Sequence, residues 1–290
     1  MLLRIVEILL PVFAIILAGY LYGRRHRPEM AVANRLNMDV FVPALVFATM
    51  ASKSFSPTAY AVLAICALLV IILPGLLAWP LARPLGTQAK TLVPPMMFNN
   101  SGNMGLPVAL LAWGEAAMPA AIVMFLVANL LHFTVGARIL DPDTRLRDLW
   151  RVPVVAATIA GLLVSFAQIP VWQPLLTAVK LVGDISIPLL LFALGVRMTD
   201  VRLGDWKLTL TGAAFRPLAG MLVAWLCIHL FALQGRDAAM LMVFGALPPA
   251  VLNFLFAERY RQEPERVAPI VLVGNLAALV FLPIALAISL

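Results

Sequence analysis

The chain alternates between long apolar stretches and short polar connections along its whole length. A transmembrane helix needs about 20 predominantly apolar residues, and charged residues or Pro and Gly bound each stretch here. On this criterion the sequence predicts ten membrane-spanning helices, numbered spans 1 to 10. They cover residues 5–22, 36–51, 58–82, 90–113, 116–137, 152–169, 175–196, 208–232, 238–257 and 267–289. We therefore expect an all-α membrane protein.

The composition also indicates that lipid surrounds this chain. Apolar residues make up 63% of the 290 residues and charged residues 12%, whereas soluble domains are about half apolar and about a quarter charged. The net charge of +7 is spread between the apolar stretches without forming a basic patch, so we expect no nucleic-acid partner. Cys66 and Cys227 lie inside apolar stretches, which indicates neither a disulfide nor a metal site.

Lys and Arg are distributed unequally between the two sides that the spans define. Sixteen lie in the loops after odd-numbered spans, and three lie at the N-terminus and in the loops after even-numbered spans. Cytoplasmic loops carry the excess of basic residues in membrane proteins. We therefore expect a multi-pass protein of the cell (inner) membrane with both termini on the non-cytoplasmic side. The connection before span 2, which includes Asn34, is then a cytoplasmic loop remote from any binding site.

The two halves of the sequence repeat two motifs. The pattern D-x-x-x-P-x-L-x-F-A begins at Asp39 in span 2 and at Asp184 in span 7, an offset of 145 residues. The pattern L-V-A/G-N-L contains Asn129 in span 5 and Asn275 in span 10, an offset of 146 residues. Matches of Asp, Pro, Phe and Asn in register carry more weight than matches of Leu or Ala in such an apolar chain.

The repeat divides the chain into a first five-span unit, residues 1–140, and a second, residues 150–290. Because each unit crosses the membrane an odd number of times, the second must be inverted relative to the first. Inverted repeats are typical of secondary transporters, in which one part rocks against another. A duplication without any transport role is the alternative interpretation.

Span 4 is interrupted by a polar segment. Residues 99–105 contain two glycines and four polar side chains, namely Asn99, Asn100, Ser101 and Asn103. Unpaired backbone groups are not tolerated in hydrocarbon, so such a segment lines a cavity or is buried in protein. Pro107 fits the first turn of a second half-helix, whose N-terminal end favours an anion. We predict that these residues form a substrate site.

Span 9 contains a matching interruption. Pro248 and Pro249 are adjacent and Asn253 follows them, and two prolines abolish the local helical hydrogen bonds. We predict that this break faces the break in span 4 across the substrate, and that Asn129 or Asn275 braces the unwound segments. Two ordinary helix kinks are the alternative.

Charged residues inside spans are rare because each one is costly in a bilayer. Asp39 has Arg35 four residues earlier and Asp184 has Lys180 four residues earlier, which predicts local ion pairs; a role in proton relay is the alternative. Arg216 lies inside span 8 without a charged counterpart in span 3. It either snorkels to the cytoplasmic face or holds a substrate carboxylate.

Three motifs, in spans 2, 4 and 9, resemble those of the auxin efflux carrier family. The resemblance rests on N-N-S-G-N-M-G-L-P in span 4, L-N-M-D-V-F-V-P-A-L-V-F in span 2 and P-P-A-V-L-N in span 9. Bacterial members of that family include proteins described as malonate or malate permeases. The resemblance implies a scaffold of spans 1, 2, 6 and 7. It also implies a transport domain of spans 3–5 and 8–10, in which spans 4 and 9 cross at their breaks.

The predicted function is secondary active transport of a small organic anion, a mono- or dicarboxylate, by alternating access. We find no catalytic residues, phosphate-binding loop or metal-ligand cluster in the sequence, so we expect no enzyme activity, cofactor or metal. The expected partners are the anion and the lipid bilayer, and a homodimer is an open alternative. A sodium-coupled symporter of the same architecture and, further away, a channel are the alternative functions. His132 and His229, near span ends, are interpreted as plain polar residues, and a role in proton coupling is the alternative.

Overall fold

The computed structural model of the chain describes residues 2–51, 60–143, 152–200 and 205–289, and these residues are helical without a β-strand. The helices are α1 Leu2–His26, α2 Ala31–Met50, α3 Ala61–Leu81, α4 Ala89–Met97, α6 Glu115–Leu140, α7 Pro153–Phe166, α8 Gln173–Arg197, α9 Trp206–Leu230, α10 Gly235–Ala246, α11 Val251–Arg259 and α12 Pro264–Ser289. Between α4 and α6, the π-helical turn Ser101–Gly105 runs directly into the helix Leu106–Trp113, and the two together are α5.

Seven of these helices are long and apolar enough to cross a membrane: α1, α2, α3, α6, α8, α9 and α12. The three other predicted spans take a different form. Span 6 is the shorter apolar helix α7, with 14 residues. Spans 4 and 9 are the helix pairs α4–α5 and α10–α11, whose members are too short to cross the hydrocarbon alone. The predicted start of the second repeat, at residue 150, lies outside the described residues.

The outward surface of the helices is apolar. Leu10, Leu163, Leu222 and Leu279 each expose more than half of their side-chain surface. In water such a surface would be unstable, whereas in lipid it costs nothing. Large indole rings lie at helix ends, as expected for residues that anchor at the membrane interface: Trp79, Trp172 and Trp206, all exposed.

The helices pack in two groups. In the first group, α1 packs along the second half of α8, and α2 packs against α7 and the first half of α8. In the second group, α9 contacts α3, α10 and α12, and α3 contacts α4 and α6. The pairs α4–α5 and α10–α11 belong to the second group, and their breaks meet inside it. Fewer contacts, mainly from α5 and α6 to α1, α2 and α8, join the groups.

Candidate functional site

The chain breaks of the two helix pairs cross each other as a short antiparallel pair. Asn100 N–H donates to the carbonyl oxygen of Pro248 at 2.7 Å, and Ala250 N–H donates to that of Phe98 at 2.8 Å. The residues between them, Asn99 and Pro249, form an isolated β-bridge. Backbone groups that leave a helix inside a membrane need such partners. The two breaks therefore face each other as predicted, because each break satisfies the other. They do so in direct contact, so the expectation that the substrate separates them is wrong.

Two asparagine side chains reinforce the crossing from opposite sides. Asn99 donates through Nδ2 to the carbonyl oxygen of Phe244 at 2.7 Å, in the last turn of α10. Asn253 donates through Nδ2 to the carbonyl oxygen of Phe98 at 3.0 Å, just after the end of α4. Each amide donates to a carbonyl at the end of an interrupted helix, where the helix itself supplies no further N–H group. Both amide nitrogens are thus already bonded to protein.

A third asparagine fixes the crossing to α12. Asn275 donates to the carbonyl oxygen of Pro249 at 3.0 Å, and its Oδ1 accepts from Asn100 Nδ2 at 2.7 Å. Its repeat partner, Asn129, instead donates to the carbonyl oxygen of Phe125 in its own helix, at 3.0 Å. Only Asn275 of this pair therefore makes the expected brace in the described residues.

A cavity of about 270 Å³ lies beside the crossing. Its walls come from α2, the first turn of α5, the middle of α6, the start of α7, the second half of α8 and the start of α11. The predicted site residues that line it are Asn99, Asn100, Ser101, Asn103, Asn129 and Asp39. The predicted site residues outside its described lining are Pro107, Pro248, Pro249, Asn253, Asn275, Arg216, Asp184 and Lys180.

The second half-helix of span 4 begins at Ser101 and not near Pro107. The carbonyl oxygen of Asn100 accepts the N–H groups of Met104 and Gly105, both at 3.1 Å. The N–H groups of residues 101–103 precede these first helical bonds, and these residues line the cavity. The wide π-helical turn accommodates the missing N–H of Pro107 one turn later, which explains why the helix starts earlier than predicted.

The helix α11 also begins at the cavity. Ala250 precedes its first turn, and Ala250, Val251 and Leu252 all line the cavity wall. The N-terminal end of a helix carries about half a positive charge and unpaired N–H groups. Two such ends, from α5 and α11, therefore meet at one cavity. Two helix N-termini favour an anion in addition to any contribution from the basic side chain of Arg197, which also lines the cavity.

Each π-helical turn among the described residues borders this cavity. The turns are Asn37–Phe41 in α2, Ser101–Gly105 in α5 and His132–Gly136 in α6. They bring Asp39 and His132 to the cavity wall. Single π-helical turns are rare and are frequent at functional sites. Hydrophobic periodicity does not reveal them, so this convergence was missed by the sequence analysis.

His132 lines the cavity, although the sequence predicted only a plain polar residue at this position. Its ring is 3% exposed and stacks on Phe98 with 4.1 Å between ring centroids and 9° between planes. Phe256 of α11 packs against it at 4.8 Å, and its Nε2 has no hydrogen-bond partner among the described residues. The imidazole thus touches both broken helix pairs and the cavity. Its position near a span end gave no indication of this.

The charges around the cavity differ from the prediction. Asp39 lines the cavity, and no ion pair joins it to Arg35 within the described part of the chain. The predicted pair assumed regular α-helical spacing, whereas the π-helical turn at Asn37 rotates residues four positions apart away from each other. Arg197, in the last turn of α8, and Asn34 also line the cavity. The expectation that Asn34 is remote from the site is wrong, because α2 begins before it.

The second predicted pair is present but lies elsewhere. Lys180 is 3.3 Å from Asp184 and also 3.1 Å from Glu115 at the start of α6. These residues line a separate cavity of about 340 Å³, between α8 and the turn that joins α5 to α6. Lys180 and Asp184 are therefore not part of the site at the crossing.

Arg216 does not reach the cavity. Its side chain is fully buried within α9, and Nη1 donates to the carbonyl oxygen of Gly245 at 3.3 Å. Gly245 belongs to the last turn of α10, so the guanidinium touches the back of the crossing. The expectation of snorkelling is wrong, because the side chain has no exposure. Direct contact with a substrate in the cavity is equally inconsistent with this position.

Comparison with known proteins adds independent information. The chain matches the family described as "Membrane transport protein" over residues 4–145 and 143–286. It is similar to an uncharacterized transporter of Methanocaldococcus jannaschii, with 23% identity over 286 residues, 90% of this chain and 91% of that protein. It is also similar to auxin efflux carrier component 6 of Arabidopsis thaliana, with 29% identity over 187 residues, 62% of this chain and 30% of that protein.

Proposed function

Because this chain belongs to the membrane transport protein family, we propose that it is a secondary active transporter that moves a small organic anion by alternating access. The family and both relatives are transporters, which confirms the resemblance to auxin efflux carriers and the expectation that the chain is not an enzyme. The observation that carries the choice of an anion is the meeting of two helix N-termini at one cavity.

The proposed architecture is ten spans in two inverted five-helix repeats. In the repeat, α7 corresponds to α1 and α2 corresponds to α8, so the contact between α1 and α8 has its counterpart in the contact between α7 and α2. In the same way, the contacts of α3 with α4 and α6 have their counterparts in the contacts of α9 with α10 and α12. The antiparallel bridge at Asn99 and Pro249 is what two inverted breaks would form. These correspondences support the repeat that the motifs predict.

We propose that the two packing groups are the scaffold and the transport domain. The first group, α1, α2, α7 and α8, corresponds to spans 1, 2, 6 and 7. The second group carries the crossing and corresponds to spans 3–5 and 8–10. The cavity lies between the groups, since α2, α7 and α8 form one wall and α5, α6 and α11 form the other. Sliding of one group along the other would carry the site across the membrane.

The substrate is proposed to occupy the 270 Å³ cavity. Ser101, Asn103 and Asn129 would offer side-chain hydrogen bonds, together with the open N–H groups of the π-helical turn. Asn99, Asn100, Asn253 and Asn275 have a different role, because their amide groups hold the crossing together. Pro248 and Pro249 keep the second break from becoming continuous helix. Pro107 lies within α5, after the first break and outside the described cavity lining. The mostly apolar remainder of the wall excludes water and strengthens these contacts.

We propose that the cavity opens toward the side that the charge distribution assigns to the cytoplasm. Its lining includes Asn34, Arg197 and Pro153, which lie near the ends of α2, α8 and α7 that adjoin the basic loops. The proposed state is thus open to the cytoplasm, with both termini on the opposite side of the cell membrane. Single cysteines at Glu29 and Gln262 should then react only with reagent admitted to the cytoplasm. Labelling of either from outside intact cells would contradict this orientation.

Counterflow into liposomes tests the function. Purified protein is reconstituted in vesicles loaded with unlabelled malonate, lactate or succinate, and uptake of the labelled compound is followed. We expect saturable uptake that internal substrate accelerates, with empty liposomes as the control. A saturation-free, voltage-driven current would indicate a channel. Uptake that needs a sodium gradient and survives proton uncoupling would indicate the sodium-coupled alternative.

A further inference from the structure

The role of Arg216 follows from its surroundings and rests on the proposed binding of an anion. Its guanidinium is fully buried in the middle of α9, and an arginine stays charged in proteins. Among the described residues no carboxylate is within ion-pair distance of it. Its Nη1 donates to the carbonyl oxygen of Gly245, and within the part of the chain that the structure describes its Nε and Nη2 have no hydrogen-bond partner. A buried cation without a carboxylate needs another source of negative potential.

That source is the C-terminal end of α10. This helix ends at Ala246, so the carbonyl groups of its last turn lack helical N–H partners and carry about half a negative charge. Asn99 donates a hydrogen bond to the carbonyl oxygen of Phe244, and Arg216 donates one to that of Gly245. Asn99 also lines the cavity, so this residue contacts both the end of α10 and the space proposed for the substrate.

A glycine contact creates the space for this interaction. A Cβ at Gly220 would lie 2.1 Å from the carbonyl oxygen of Gly245 and 2.2 Å from Nη1 of Arg216. A Cβ at Gly245 would lie 2.5 Å from the carbonyl oxygen of Gly220. Only glycine at both positions allows α9 and α10 to approach so closely. The arginine and the two glycines therefore form one unit at the back of the crossing.

We propose that Arg216 is a positioning residue that neutralises the negative end of α10 and thereby makes the cavity more favourable for an anion. The crossing brings two negative helix ends close to the two positive ones, and the negative ends oppose anion binding. The end of α4 is satisfied by Ala250 and Asn253 instead. The position equivalent to Arg216, at the offset of 145, is the buried Ile71. Of the two negative helix ends, the end of α10 is therefore the one that is neutralised by a charged side chain.

The test compares two probes of similar shape and different charge, the dianion malonate and its monoamide malonamate. Arg216→Met removes the charge with an apolar side chain that lipid and core tolerate, and Arg216→Lys retains it. Because Coulomb energy scales with ligand charge, we expect Arg216→Met to weaken malonamate binding roughly threefold and malonate binding roughly tenfold. Arg216→Lys should bind both nearly as well as the unaltered protein, and so should the control Arg236→Gln at the exposed start of α10.

Equal losses for both probes, no loss, or a lysine variant as weak as the methionine variant would overturn the proposal. If Arg216→Met does not fold, Arg216→Gln replaces it, since the glutamine amide is uncharged but can still donate a hydrogen bond, and it should produce the same charge-dependent loss. If the unaltered protein binds neither probe, the proposed substrate class fails and hydrogen exchange of residues 240–247 in nanodiscs decides about Arg216. Faster hydrogen exchange in Arg216→Met, with the original rate restored in Arg216→Lys, supports the stabilisation of the end of α10 by Arg216. Unchanged exchange in Arg216→Met overturns it.

Discussion

The two helix breaks share a topology and differ in what they offer. The first break, residues 98–105, is polar and opens into a π-helical turn whose residues line the cavity. The second break, residues 247–250, contains two prolines and no polar side chain. The first can therefore bind a ligand through side chains, whereas the second contributes mainly backbone and the N-terminal end of α11. If the proposed repeat and site are correct, the two breaks divide binding and support between them.

The bracing amides show the same division. Asn275 bonds to both breaks, while the bond that Asn129, its repeat partner, makes among the described residues lies within α6, and Asn129 lines the cavity. The second half of the molecule supplies the brace and the buried cation. The first half supplies the residues that the substrate would touch. Each half can be altered separately to test whether this division is real.

The largest effect is expected for Asn275→Leu. It removes the acceptor of Asn100 and the donor to Pro249, and each buried polar group left without a partner costs about 1–3 kcal/mol. We expect a lower midpoint of thermal unfolding and a loss of transport. The matched variant Asn129→Leu leaves only a carbonyl within its own helix and should retain most of the stability. Equal destabilisation of the two variants would contradict the division between brace and site.

A smaller and more specific effect is expected for Asn103→Ala. If this side chain binds the anion, its removal costs about 1.5–3 kcal/mol of binding, or roughly ten- to more than a hundredfold in affinity. Thermal unfolding should change little, because Asn103 makes no hydrogen bond to protein among the described contacts. Gln234→Ala, which removes an exposed amide before α10, is the control. Unchanged affinity in Asn103→Ala would place the substrate elsewhere.

The smallest effect is expected at the second cavity. Lys180→Met breaks the contacts with Asp184 and Glu115, but these side chains are about half exposed or more, and exposed ion pairs contribute about 0–1 kcal/mol. We expect nearly normal stability and substrate affinity, measured by thermal unfolding and equilibrium binding. A tenfold loss of affinity would show that this distant group takes part in the site.

Local features of the sequence predicted much of the fold. Each apolar stretch corresponds to a helix or a broken helix pair, because the length of an apolar run and its punctuation by Pro, Gly and charge act within a few residues. Both breaks were found for the same reason. The start of α5 was misplaced, since the π-helical turn that moves it from Pro107 to Ser101 has no periodic signature in the sequence.

The sequence by itself determined that the chain lies in lipid and where its helices are interrupted, because these depend on apolar content and on residues that cannot continue a helix. Only the tertiary structure decided which polar groups are free for a ligand. Asn99 and Asn253 look like binding residues until the carbonyl partners of their amide nitrogens, each in the other half of the chain, are seen. Arg216 was decided in the same way, because the carbonyl that accepts its hydrogen bond lies 29 positions further along the chain.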